Sequence, residues 1–95
     1  MPRARIAATP VTVSATVMTG AGYYNGYSLR ETAGAAAVVR IYDNTAASGT
    51  ILDTVALAAN ESAREYYPSP GIRVENGLYF QVVSGTVEGS LREGF

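Results

Sequence analysis

The side chains of this 95-residue chain that can carry or move a charge are seven Arg, eight Asp or Glu and seven Tyr; His, Cys and Lys are all absent. Without His there is no near-neutral general base and no Ser-His pair. Without Cys there is no thiolate nucleophile, disulfide or common zinc cluster, and without Lys no Schiff base or P-loop cation. What remains is carboxylate, Tyr, Ser/Thr and Arg chemistry. Glu61 and Glu65 form one close pair of carboxylates, Asp43 and Asp53 a looser one. Such pairs hydrolyse glycosides when held at a defined separation, and calcium takes six or more oxygen ligands. No segment here approaches that density, so these acids are read as solvated strand edges and loop caps. The expectation is a chain with no catalytic activity, no metal and no cofactor.

Tyrosine is the conspicuous side chain, at positions 23, 24, 27, 42, 66, 67 and 79. Tyr supplies amphipathic contact area at low entropic cost, stacks on sugars, or simply caps a thin core with its hydroxyl in solvent. The absence of Trp weighs against a sugar platform. At the N-terminus, Arg3, Arg5 and Ile6 lie in a ten-residue stretch that Pro10 separates from the first alternating run. That stretch reads as an arm docked on a neighbour. The expected protein-contact residues are therefore Arg3, Arg5, Ile6, Tyr23, Tyr24 and Tyr27.

The seven cations are scattered among eight acids, for a net charge of −1. No basic stripe exists to neutralise several phosphates on one face, so no nucleic-acid partner is expected. No run approaches the ~20 apolar residues of a membrane span. The first ten residues carry no apolar core of a signal peptide, so assembly in a cytoplasm is expected. Fifteen of the hydrophobic residues are Ala, and Val, Ile, Leu and Phe number only 21. A core that thin leans on neighbours, which makes a homo-oligomer, or attachment to a larger partner, the expected state.

These residues must be carried by strands. Val11 to Val17 alternates strictly, as does Leu78 to Val83 with Leu78, Phe80 and Val82 inward. Tyr23 to Glu31 reads as a strand interrupted by Asn25-Gly26 and bulged at the glycine. Ala36 to Asp43 places Val39 and Ile41 on one face and Val38, Arg40 and Tyr42 on the other, the mark of a central strand. Ile51 to Ala58 is read with Ile51, Val55 and Leu57 inward. Ser62 to Tyr67, Ile72 to Glu75 and Val87 to Leu91 complete the set, and Ser84-Gly85 is predicted to close a tight hairpin. The fold class is all-β: an antiparallel β-sandwich of seven or eight short strands, jelly-roll or immunoglobulin-like, over residues 11–95, with an extended arm over residues 1–10.

The segments Thr32 to Asp43, Gly49 to Leu52, Asn76 to Tyr79 and Val83 to Ser90 resemble small virion structural proteins of tailed bacteriophages of high-GC hosts. The use of Arg without Lys and the wealth of Ala and Gly suit such a genome. The resemblance spans about Tyr27 to Arg92 and rests on turns and strand cores. It implies a β-sandwich that decorates the head, with the major capsid protein or another virion protein as partner, the virion as location and no catalytic residues. A carbohydrate-binding or host-attachment module displayed on the virion, and a neck or tail accessory protein, are the alternatives.

Overall fold

Glycine and proline turns cut the chain into runs of three to ten residues, and β-branched and aromatic side chains make each run extended. A computed structural model describes residues 6–94. Nine strands follow one another: β1 (Ile6–Val11), β2 (Ala15–Thr19), β3 (Gly22–Glu31), β4 (Ala37–Asp43), β5 (Thr50–Leu57), β6 (Ser62–Tyr66), β7 (Ile72–Val74), β8 (Gly77–Ser84) and β9 (Val87–Gly94). No helix occurs among the described residues.

The strands form two antiparallel sheets. Sheet A runs β1-β9-β3-β6, with β7 also paired to β3; sheet B runs β2-β8-β4-β5. Only β4–β5 and β6–β7 are consecutive strands that stay in one sheet. If β6 and β7 are counted as one interrupted strand, the sheets read 1-8-3-6 and 2-7-4-5. That interleaving is the double Greek key of a jelly roll, which decides between the two sandwiches. Between the sheets lie Tyr24, Leu29, Val74, Val87 and Leu91 from sheet A and Val39, Ile41, Leu57, Leu78 and Phe80 from sheet B, all buried. As the alternation predicts, β4 is central and pairs on both sides.

Four expectations change at sheet edges and corners. Arg3 and Arg5 lie outside the described residues, but Ile6–Val11 is not a free arm: it pairs along its length with β9, from Ile6↔Gly94 to Val11↔Gly89. Pro10 fits because β1 is an edge strand, where a missing N–H can face away from the ladder. The alternating run Val11 to Val17 is broken by a bend at Thr12–Ser14 that carries the chain from sheet A to sheet B, and Val13 is left exposed. Ser84-Gly85 does not close a hairpin, because β8 and β9 belong to different sheets; the glycine (φ 83°) turns a corner between them. Ile51 is exposed rather than inward: the β4–β5 register shifts between Ile41 and Tyr42, so Ile51 pairs with Tyr42 on the side of the sheet opposite Ile41, where Tyr42 is covered (6% exposed) and Ile51 is not.

Two glycines let β3 sit tightly between its neighbours. Gly26 (φ 118°) lies against the Glu65 carbonyl of β6, and Gly89 (φ 152°) against the Ser28 carbonyl, so a Cβ at either would collide with backbone. The β3–β9 register shifts between Tyr24 and Gly26, which makes Asn25 the extra residue of a bulge. The bulge resets the alternation of β3, so Tyr24 before it and Leu29 after it both face the core.

Candidate functional site

The three clustered tyrosines do not share a surface. Tyr24 is fully buried, so it offers nothing to a partner. Its hydroxyl donates to Asp53 Oδ2 on β5 at 2.9 Å, and the Tyr67 hydroxyl donates to the same oxygen at 3.0 Å. The two rings pack at 5.5 Å. Burial, with Asp53 beside it, pushes the Tyr24 phenol well above its ordinary range, and burial followed by the bond to Asp53 pushes Tyr67 up to about 12. Tyr27 is half-buried against the core, and burial raises its phenol too. Tyr23 points outward on sheet A, under the Arg73 guanidinium at 5.8 Å. Ile6 is 40% exposed on edge strand β1. The structure thus leaves Tyr23 and Ile6 at the surface and turns Tyr24 into an inter-sheet clasp.

The carboxylates are occupied in building loops. Glu31, fully buried, accepts backbone N–H bonds from Asn60, Ala33, Gly34 and Ala35 and so pins the turns after β3 and β5 together. These bonds, the one from Asn60 foremost, hold its carboxyl below the usual range despite burial. Asp43 accepts from Glu75 N and Asn76 N, and Glu61 from Ala58 N. Asn25 Nδ2 donates to the carbonyls of Tyr67 and Pro70 and fixes the β6–β7 link. Glu93, buried beside Thr9, accepts that hydroxyl at 2.7 Å, and burial raises its carboxyl. No group of three or more His, Cys, Asp or Glu placed to hold a metal occurs among the described residues, and no helix there is long and apolar enough to cross a membrane.

Two outer faces remain. On sheet A, a shallow groove of about 690 Å³ is lined chiefly by Ser28, Arg30, Ser62, Arg64 and Glu88. Its lining mixes small polar and apolar residues, Ala63 and Gly89 among them, with two arginines and one acid. On sheet B the outer face is different. Cross-strand pairing aligns Gln81, Arg40 and Thr54 in one row, Tyr79, Tyr42 and Ile51 in the next, and Val38 beside Ala56 on the other side. The Tyr42 hydroxyl donates to Gln81 Oε1 at 2.8 Å. Ile51 and Val83 are 47% and 44% exposed. Arg40 is the centre of this face, and its Nε is buried with no hydrogen-bond partner among the described residues.

Sequence reasoning singled out neither Glu31, Asn25 nor Arg40 as special, and it left Asp53 among solvated acids. Only Arg40 carried a readable signal: its place between Val38 and Tyr42 on the second face of a central strand. No family model matches the chain, and no curated protein or solved structure matches it.

Proposed function

We propose that this chain is a structural protein of a tailed-bacteriophage virion, a decoration protein that binds the outer surface of the head and reinforces it. The observation that carries the reading is the outer face of sheet B, where half-buried Arg40 and Tyr79 lie among exposed Ile51, Thr54 and Ala56. Jelly rolls serve as capsid and lectin domains, so the architecture suits the role. Five of the eight carboxylates are spent on structural hydrogen bonds, which leaves little for catalysis. Weak contacts repeated by head symmetry would add up through avidity.

The groove of sheet A, with Arg30 and Arg64 in its lining, favours a second reading, a module that binds anionic sugars through those two arginines. The two are separated by mass spectrometry and electron cryomicroscopy of virions from a phage that encodes the chain. The decoration reading expects many copies in register with the head lattice. Absence from the virion overturns it, and a few copies at a tail tip that bind glycans move the assignment to the second reading.

A further inference from the structure

We infer that the outer face of sheet B is the seat on the head shell, anchored by Arg40 against a carboxylate of the shell protein; this deepens the decoration reading and rests on it.

The face has the anatomy of a protein contact. Its centre is the half-buried Arg40, joined by the strand pairings already described to half-buried Tyr79 and Val38 and to exposed Ile51, while Tyr42 beside them is itself buried at 6% exposure. Tyr and Arg dominate the binding energy of protein interfaces when a rim of near-neutral contacts keeps water out. The sheet around Arg40 already supplies part of that shielding, since Nε has no access to solvent yet no partner. A buried guanidinium donor without an acceptor costs free energy. Nε is out of a partner's reach, but the two Nη atoms are neither buried nor hydrogen-bonded among the described residues, so a carboxylate brought by a docking protein can pair with them in a charge-assisted bond. The one ion pair among the described residues joins Arg73 to Glu75, so no carboxylate of the described chain serves Arg40.

The charge pattern also selects the occupant. A second copy related by a two-fold axis would bring this face against itself. Val38, Arg40, Tyr42, Ile51, Thr54, Ala56, Tyr79 and Gln81 include no acid. Such a dimer would bury two guanidiniums together with no counter-charge, at a cost no apolar rim offsets. The partner is therefore a different protein that presents a carboxylate within an apolar patch, and in the decoration reading that protein is the shell.

The test uses heads purified from phage that lack this chain, titrated with the purified full-length protein and read by co-sedimentation. Arg40→Ala is expected to bind at least 30-fold more weakly, Arg40→Glu not measurably, and Ile51→Glu at the exposed rim several-fold more weakly. Glu75→Arg, an equally charge-changing substitution at a 65% exposed side chain on the β7–β8 link, should bind like the parent. Circular dichroism melts of each variant establish that it is folded, and Arg40→Lys gives a second, milder probe that should fall between parent and Arg40→Ala. Equal binding by the parent and a folded Arg40→Glu overturns the inference and leaves the decoration reading standing. Failure of the parent itself to bind heads overturns the decoration reading. A parent dimer that Arg40→Glu disrupts would place a second copy on the face and overturn the choice of partner.

Discussion

Tyr24 on β3 and Asp53 on β5 face each other across the sandwich and share a hydrogen bond of 2.9 Å, which ties sheet A to sheet B at the side where β5 and β6 form the sheet edges. Tyr67 donates to the same oxygen from the β6–β7 link. A jelly roll this small has few side chains to spare for its core, and here a polar clasp joins the apolar ones.

Tyr24→Phe keeps the ring and removes the donor to a charged acceptor, so it should cost about 1.5–3 kcal/mol in urea unfolding at neutral pH. Tyr67→Phe, at a more exposed ring, should cost less. The two losses should not add, because both hydroxyls act on one oxygen. The phenols are raised in the folded state, so the clasp contributes in full below the ordinary Tyr value of 10.0 and its contribution falls as pH climbs toward the Tyr67 value of about 12. Stability measured between these limits should drop for the parent and drop less for the double Phe variant.

Glu31 and Glu93 should respond to acid in opposite senses. The folded Glu31 carboxyl is lowered, so its contribution is present above the ordinary value of 4.5 and is lost as pH falls through the lower folded value. Glu31→Gln should therefore be less stable than the parent at pH 7, with the gap closing on acidification. The folded Glu93 carboxyl is raised by burial, so its charged form is a burden at neutral pH that protonation relieves as pH falls through the raised folded value. Thermal melts across pH 3–7 of the parent and of each Gln variant would separate the two.

Gly89→Ala should destabilise by about 2–3 kcal/mol, through a collision with the Ser28 backbone and the positive φ together. Gly34 also has a positive φ (76°) but open space around it. Gly34→Ala should cost only about 1 kcal/mol, the price of the left-handed conformation alone. Denaturant midpoints of the two variants decide whether strand approach, rather than φ, sets the larger effect.

Ile51 and Val55 look alike as inward positions of one strand, yet Val55 is 7% exposed and Ile51 47%. Ile51→Ser should change stability by less than about 0.5 kcal/mol, whereas Val55→Ala should cost about 2 kcal/mol. A large loss at Ile51 would contradict the register shift between Ile41 and Tyr42.

The all-β class, the central place of β4 and the shared faces of Val39 with Ile41 and of Leu78 with Phe80 were legible in the sequence. Period-two alternation and turn residues are local signals, and a strand's inner face follows from them directly. Everything that depended on which strands meet was not. Whether Ser84-Gly85 closes a hairpin or turns a corner depends on the sheet each neighbour joins. Whether Pro10 ends an arm or sits in an edge strand depends on β9 lying beside it. Ile51 follows from a one-residue shift against β4, because a slip of one residue exchanges the two faces of a strand. Tyr24 was predicted as a contact residue and became a clasp because Asp53, 29 residues away, lies opposite it. Glu31, Asn25 and Asp43 acquired their roles from backbone groups of distant loops, which leave no spacing in the sequence to read. Arg40 stands between: alternation put it among Val38 and Tyr42, and only the assembled sheet showed a guanidinium buried at Nε and left without an acceptor.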